Sequence, residues 1–283
     1  MIALDYPEFY FLNQQNMNRP AFLLLTLLIA GCATAQEITD PKVTEVWEPV
    51  PAKVTPGVFP NSPPSDAIIL FDGKDLSQWH KSALGYGGSM PEVKAVIEKY
   101  GTVTKYENAG WDVIDGAMVV KPGAGPIETK QSFGDCQLHI EWLAPVDPGK
   151  EGQGYSNSGV FLMSNYEIQV LNSYDTQTYS NGQAGAMYKQ SIPLVNASRP
   201  PGEWQTYDIV FMAPRFADDG KLLKPASITA FHNGVLIQNH FELQGPCIYI
   251  GKPYYIPHPD KLPLILQDHG NRVRFRNIWI REL

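Results

Sequence analysis

The fold is clearest in residues 154–174, which read GYSNSGVFLMSNYEIQVLNSY. This run predicts one β-hairpin with strands at 159–163 and 166–171. Because strand side chains alternate between two faces, the apolar residues of the second strand share one face, and Glu167 and Gln169 lie together on the other. A carboxylate and an amide side by side on that face are either solvated or part of a site, and one strand leaves both readings open.

The rest of the chain repeats this pattern of short apolar runs and turn residues. Its 283 residues are 43% hydrophobic and include 24 Gly and 24 Pro. Asn233-Gly234 is a strong hairpin signal, and neither a GxGxxG motif nor helix–strand alternation supports a nucleotide-binding fold. The pattern predicts an all-β fold, a two-sheet antiparallel jelly-roll sandwich with one short helix.

The predicted elements follow from these local signals. The helix is expected between Pro91 and Gly101, since Pro suits a first helical turn and Gly a helix end. The remaining predicted strands are 67–71, 76–79, 111–114, 117–121, 127–129, 135–143, 205–212, 226–232, 235–238, 248–250, 264–267 and 272–282.

Charge narrows the range of partners. The formal net charge is −7, and Lys and Arg do not cluster into a basic patch. Nucleic-acid partners usually need such a patch, so a nucleic-acid partner is disfavoured, while a small ligand is not.

Residues 1–36 read as an export signal rather than as part of the fold. The apolar run at 21–30 is too short to span a membrane, and Arg19 precedes it, which makes Met17 a plausible true start. The sequence LIAGC at 28–32 resembles a lipobox with a lipid anchor at Cys32, while ATA at 33–35 offers ordinary cleavage. Either processing route predicts export to the periplasm or the cell surface, and processing as a lipoprotein is favoured.

Two regions follow the signal. Residues 37–64 hold seven prolines and are expected to form an extended linker without a helix, leaving 65–283 as the jelly-roll domain. Cys136 and Cys247 lie in apolar contexts, where a disulfide and two buried free thiols are both open.

Several groups of residues resemble a known family in their order and spacing. They are LFDGKDL at 70–76 with Trp79, NSGVF at 157–161, YEIQV at 166–170, Trp204 with Tyr207, HNGV at 232–235, and LQDHG at 266–270 followed by VRFRNIWI at 273–280.

Over residues 66–283 the chain resembles bacterial 3-keto-disaccharide hydrolases, also described as 3-keto-glucoside 1,2-lyase and 3-keto-2-hydroxy-glucal hydratase domains. The resemblance implies a concanavalin A-like jelly roll that cleaves 3-keto-glycosides by β-elimination and hydration, with net hydrolysis. The segment 85–106 is longer than that region usually is in the family. We expect it to cover the site and to alter which sugar fits.

Elimination from a 3-keto sugar needs a base for the C2 proton, a group that stabilises the enolate, and an acid for the departing oxygen. The catalytic candidates are Glu167, Glu141, His269 and Lys189. Glu141 would approach Glu167 if their strands were neighbours; the alternative is a cross-strand ion pair with Arg274 or Arg276. His269 could carry protons or only cap a turn, and Lys189 could polarise the ketone or only be exposed.

Further residues could bind the sugar or an ion. The predicted substrate-binding residues are Gln169, Asn157, Ser158, Trp79 and Asp268. Trp79, Tyr155 or Trp111 could supply a stacking platform, and Asn157 and Ser158 could instead only form a turn. No cofactor is established by the sequence, although Glu141, Glu167 and His269 have the chemistry to hold a divalent metal ion.

Two other functions compete with elimination. One is a conventional glycoside hydrolase that uses Glu141 and Glu167 directly, and the other is a carbohydrate-binding, lectin-like module without catalysis.

Overall fold

The computed structural model describes residues 39–59 and 61–283. The predictions for the signal, Met17 and Cys32 lie outside these residues and stay predictions. The chain divides into two units, Met1–Ala52 and Lys53–Leu283.

The described part of the first unit contains one short 3-10 helix, Pro41–Thr44. Asp40 caps it by accepting a hydrogen bond from the backbone N–H of Lys42. The prediction that 37–64 holds no helix is therefore wrong for these four residues, because a proline next to a capping aspartate suits a helical first turn as well as an extended chain.

The second unit is built mainly of antiparallel strands. They are β1 Ile68–Phe71, β2 Trp79–Lys81, β3 Asp112–Ile114, β4 Ala117–Val119, β5 Ile127–Phe133, β6 Cys136–Leu143, β7 Ser158–Leu162, β8 Tyr166–Val170, β9 Trp204–Met212, β10 Arg215–Phe216, β11 Leu222–Lys224, β12 Ser227–His232, β13 Val235–Glu242, β14 Leu262–Leu266 and β15 Arg274–Glu282. The helices are α1 Met90–Lys99 and the 3-10 turns Gly152–Gly154 and Ser180–Gly182.

Two sheets carry the architecture. The larger one has the order β13-β12-β9-β6-β15-β4-β3 with β1 added beside β15, and the smaller one has the order β2-β5-β14-β7-β8. Strands β10 and β11 form a separate ribbon. This arrangement confirms the predicted all-β jelly-roll sandwich with one short α-helix.

The core lies between the two sheets and follows the predicted alternation. Ile140 and Phe275 of the larger sheet and Ile168 and Leu266 of the smaller sheet are fully buried in one cluster. The hydroxyl of Tyr207 crosses this layer and donates to the carbonyl of Gln169 at 2.8 Å. Each sheet therefore sends its apolar face inward, which leaves the outer face of the smaller sheet available for polar groups.

Some predicted strand boundaries differ from the structure. The predicted strand at 248–250 is a loop whose Tyr249 and Ile250 N–H groups donate to the carbonyl of Gly88. The strand expected at 76–79 begins only at Trp79, and the two strands of the β10–β11 ribbon were not predicted.

The segment that carries α1 lies against the loop after β13. Met90 and Val93 of α1 pack with Ile248 in a small apolar cluster. Tyr86, just before the helix, stacks on Phe161 of β7 with ring centroids 4.5 Å apart. These contacts place the segment over part of the smaller sheet, and its effect on which sugar fits stays a prediction.

Cys136 and Cys247 are both buried and both free thiols, so they do not form a disulfide. Within the described residues, no helix has the length and apolar character needed to cross a membrane.

Candidate active site

A row of directly paired residues crosses the outer face of the smaller sheet. In register from β2 to β8 it runs His80, Glu128, Ile265, Phe161 and Glu167. Paired residues point to the same side of a sheet, so two carboxylates share this face with an apolar pair between them. Phe161 and Ile265 cluster with Cys247, and Tyr86 and Tyr188 pack against this cluster.

A cavity of about 180 Å³ opens at the β8 end of this row. It is enclosed by the smaller sheet below and by the two loops around Tyr86 and Cys247 above. Its lining consists of Tyr86, Gly87, Gly88, Asn157, Phe161, Glu167, Gln169, Tyr188, Cys247, Ile248, Tyr249, Gln267 and His269.

Glu167 is the buried carboxyl group of this cavity, with 5% of its surface exposed. Burial raises its pKa to about 8, and a hydrogen bond from Cys247 opposes part of that rise. Because the shift brings the pKa close to neutral pH, both the neutral and the charged form are accessible there, as a group that gives and takes protons requires.

The hairpin makes room for this carboxyl group. Gly159 of β7 lies beside Glu167, and a Cβ at position 159 would overlap Glu167 Oε1 and the ring of Phe161. The glycine in the NSGVF motif therefore has a steric role: it lets the carboxyl group lie over the neighbouring strand.

Two neighbours can donate to the Glu167 carboxylate. The thiol of Cys247 lies 3.3 Å from Oε2 and 3.2 Å from the Tyr188 carbonyl, and its single S–H can donate to either. When the Gln169 amide is oriented with its nitrogen toward β7, it donates to Glu167 Oε1 at 3.1 Å and to the Ser158 carbonyl at 2.9 Å. Each carboxylate oxygen thus has one neutral donor within reach.

Other polar groups of the cavity face its contents. His269 is exposed at its mouth, and Asn157 is buried, with its amide nitrogen donating to the Gln153 carbonyl at 2.9 Å. The side-chain oxygen of Gln267 is buried and has no hydrogen-bond partner among the described residues. The Tyr86 phenol lies close to this side chain, so Tyr86 and Gln267 are neighbours in the cavity wall.

Lys189 lies beside the cavity rather than in its lining. Its ammonium group donates to the Tyr249 carbonyl at 2.7 Å and lies 4.1 Å from the centroid of the Tyr249 ring. Tyr188 and Tyr179 share a 2.6 Å hydroxyl contact nearby. Of the four predicted catalytic residues, the structure brings Glu167 and His269 into one cavity and places Lys189 on its rim.

The predicted approach of Glu141 to Glu167 is wrong, because β6 belongs to the larger sheet. Glu141 accepts from Arg276 Nε at 2.6 Å and from Asn277 at 2.9 Å. Burial by itself would raise the pKa of Glu141, but hydrogen bonds from His139, Asn277 and Arg276 lower it to about 2. The alternative of a cross-strand ion pair with Arg276 is confirmed.

Three predicted substrate-binding residues hold the fold instead of lining the cavity. Ser158 is fully buried and donates to the Gln267 carbonyl at 2.7 Å. Trp79 is a core residue whose Nε1 donates to the Leu70 carbonyl at 2.8 Å, so it offers no stacking surface. Asp268 accepts from three backbone N–H groups and thereby joins the loop before β5 to the loop after β14.

The metal-ligand set suggested by the sequence is not assembled, since Glu141 lies in a different sheet from Glu167. Within 39–59 and 61–283, no group of three or more His, Cys, Asp or Glu side chains is arranged to hold a metal ion.

Sequence reasoning did not single out several residues of the cavity: Tyr86, Tyr188, Cys247, Tyr249 and Gln267. Tyr86 belongs to the segment expected to cover the site, and Gln267 belongs to the LQDHG motif. Cys247 gave no usable signal, because an apolar context around a lone cysteine is typical of core residues.

Comparison with known proteins identifies the family. The model of the 3-keto-alpha-glucoside-1,2-lyase-like domain matches residues 66–281. The chain belongs to this family. A crystal structure of a candidate glycosyl hydrolase from Parabacteroides distasonis is 45% identical, covers 86% of this chain and 97% of its own, and has a TM-score of 0.74.

A second candidate glycosyl hydrolase from Parabacteroides distasonis is 20% identical, covers 77% of this chain and 94% of its own, and has a TM-score of 0.51. At that identity the likeness concerns the fold alone. A comparison with curated proteins found no match. Membership of the lyase-like family and the closer of these two neighbours support a carbohydrate-active enzyme of the hydrolase type.

Proposed function

We propose that this member of the lyase-like family cleaves 3-keto-glycosides by β-elimination followed by hydration, with net hydrolysis of the glycosidic bond. The observation that carries the proposal is the cavity around Glu167, which combines one buried carboxyl group of raised pKa with neutral hydrogen-bond donors. A ketone at C3 makes the C2 proton acidic, so proton transfer and stabilisation of an oxyanion are what this chemistry requires.

Glu167 supplies the proton transfer. Its carboxylate form takes the C2 proton, the C1–C2 double bond forms, and the C1–O bond breaks with its electron pair going to the departing oxygen. The neutral carboxyl group then returns its proton to that oxygen, which leaves as an alcohol. Because burial favours the neutral form, the proton-loaded intermediate state of Glu167 is stable in this cavity.

The neighbouring groups support the developing charge and the second half of the reaction. Burial raises the pKa of Tyr86 to about 12, so its phenol stays neutral and can donate to the enolate oxygen. Lys189 adds a positive charge at the rim. His269, at the mouth of the cavity, activates the water that adds to C1 while a proton returns to C2.

A conventional glycosidase is less well supported. Retaining and inverting mechanisms need two carboxyl groups about 5 Å or roughly 6.5–9.5 Å apart. Among the described residues that line this cavity, Glu167 is the sole carboxyl group. Glu128 is three strands away along the row, about 14 Å at a strand spacing of about 4.8 Å.

A lectin-like module is also less well supported. A carboxyl group buried without a cation costs stability, and such a cost is typical of sites where proton transfer gives it a use. Binding alone would be served by an amide at position 167.

The experiment is an assay of the full chain with a 3-keto-glucoside and with its unoxidised parent glucoside. The proposal expects turnover of the ketone alone. Turnover of the parent would support the conventional glycosidase, and binding of either compound without turnover would support the lectin-like module.

A further inference from the structure

A second cavity lies at the other end of the same row, on the β2–β5 side of the smaller sheet. It encloses about 290 Å³ and is lined by His80, Tyr100, Tyr106, Glu128 and Lys130, among others. This volume is close to the lower end of the range for small-molecule sites, about 300–1,000 Å³.

The two cavities are separate. Leu84 lines the second cavity, whereas Tyr86 lines the first, so the segment that joins them forms a wall of both. Tyr86 stacks on Phe161 in the middle of the row and closes the sheet face between Glu128 and Glu167. The second cavity therefore has its own set of groups and does not extend the site around Glu167.

Glu128 is the buried acceptor of the second cavity, with 5% of its surface exposed. Ser82 donates to its Oε2 at 2.6 Å. Its Oε1 lies 3.4 Å from His80 Nδ1, but that nitrogen is closer to the Lys81 carbonyl, at 3.1 Å. The backbone N–H of Ala83 also donates to the carboxylate. Because a carboxylate has about four acceptor positions, Glu128 retains capacity to accept a hydrogen bond from a ligand.

Tyr100 lines the cavity but does not offer its hydroxyl to a ligand. The hydroxyl is shielded from solvent and lies near Ser164. Ser164 donates to the Pro263 carbonyl at 3.0 Å, and its oxygen can still accept from Tyr100. Polar contact with a ligand therefore depends on Glu128.

The rim defines the chemistry of the ligand. Tyr106 is 48% exposed, and its ring lies on His80 with centroids 4.0 Å apart, which gives an aromatic surface at the opening. Lys130 and Lys261 also line the cavity and disfavour a cation, while the buried Glu128 disfavours an anion. Hydrogen-bonding groups of both kinds beside an aromatic ring fit a neutral, polyhydroxylated ring.

We propose that the cavity around Glu128 and Tyr100 is a second binding site, which takes a neutral saccharide. It binds the sugar through the remaining acceptor capacity of Glu128 and the exposed ring of Tyr106. The site is independent of the chemistry at Glu167, so its test measures binding and not turnover.

The test titrates methyl β-glucoside into the full chain carrying Glu167→Gln, with chemical-shift changes or calorimetry as the readout. Tyr106→Ala, at an exposed side chain, is expected to weaken binding about tenfold or more, and Glu128→Gln to weaken it as well. Tyr254→Ala is the matched control, since Tyr254 is also an exposed tyrosine but lines neither cavity, and it is expected to leave binding unchanged.

Three results would overturn the proposal. The first is the absence of saturable binding, and the second is binding that Tyr106→Ala leaves unchanged. The third is tighter binding of a charged analogue, glucuronate or glucosamine, than of the neutral glucoside. None of these results depends on whether 3-keto-glycosides are turned over, so failure here is distinguishable from failure of the proposed function.

Discussion

Glu167 is the residue on which the proposed chemistry depends. Glu167→Gln keeps the size of the side chain but removes the group that accepts and returns the proton. We expect turnover of a 3-keto-glucoside to fall by about two orders of magnitude or more, the usual effect of losing a general acid or base. Steady-state kinetics measure the effect, with circular dichroism to check the fold.

Glu141→Gln is the control for that variant, because Glu141 is also a buried glutamate on a strand but lies in the other sheet. Its turnover at 25 °C is expected to match that of the wild type while the chain remains folded. Equal losses in the two variants would remove Glu167 from its catalytic role.

Cys247 is a positioning residue that acts through Glu167. Its thiol can donate to Oε2 and thereby lower the pKa of the carboxyl group below the value that burial alone would produce. If the carboxylate form is the base, kcat/KM rises with pH through about 8, the pKa of Glu167. In Cys247→Ala this rise moves to higher pH, because the donor that favours the carboxylate is lost.

The pH profile separates this role from a merely structural one. A variant that only loosened the fold would lower kcat/KM at every pH and leave the midpoint of the rise in place. Cys247→Ser, which keeps a donor, should return the midpoint toward the wild-type value.

At the scale of elements, the β7–β8 hairpin could be predicted from the sequence, but the partners of β6 could not. Alternation correctly put Glu167 and Gln169 on one face of β8, and Glu141 and His139 on one face of β6. It carries no information on which strands pair, since β6 meets β9 and β15 through contacts far apart in the chain. The prediction therefore assigned Glu141 to the correct face of β6 but placed β6 in the wrong sheet.

Gly159 tests how the hairpin positions the carboxyl group. Gly159→Ala introduces a Cβ that would overlap Glu167 Oε1, so Glu167 must shift. We expect kcat to fall about tenfold or more, since a misplaced catalytic group loses most of its effect. Gly154→Ala is the matched control, because a Cβ there meets nothing within 4 Å, and it is expected to keep wild-type kinetics. Unchanged kinetics in Gly159→Ala would contradict the steric role.

At the scale of the whole molecule, the two sheets have different roles. The larger sheet carries a charged cluster that stabilises the fold, whereas the smaller sheet carries the cavity around Glu167. The cluster of His139, Glu141, Asp208 and Arg276 joins β6, β9 and β15. Burial opposes the charge on His139, but hydrogen bonds from its ring to the carboxylates of Asp208 and Glu141 raise its pKa overall. These charged groups stabilise the fold. A glutamate and a histidine on one strand face are the same pattern that a catalytic site would give, which is why Glu141 was predicted to be a site residue.

This cluster predicts how stability depends on pH. The folded pKa of Glu141 is about 2, below its ordinary value of 4.5, so its stabilisation is complete above pH 4.5 and is lost as pH falls toward 2. The urea midpoint should decline through this window in the wild type and decline less in Glu141→Gln. Parallel declines in both proteins would contradict the assignment.

The sequence predicted the sandwich, its helix and the carboxyl group at the centre of the site, because these follow from local alternation and turn residues. It did not predict that the loop around Cys247 covers the cavity. The loop around Cys247 is held by two N–H groups that share the Gly88 carbonyl, and such irregular pairing leaves no periodic pattern to read. For the same reason Cys247 and Tyr249 were not singled out as site residues.

The most direct measurement is hydrogen exchange at C2. Turnover of a 3-keto-glucoside in D₂O, followed by mass spectrometry and NMR of the sugar product, reports whether the C2–H bond is broken. Elimination and hydration through Glu167 predict one deuterium at C2 of the product from the wild type and its near absence, with the loss of turnover, in Glu167→Gln. Wild-type product that retains its original hydrogen at C2, formed at a full rate, would contradict the account.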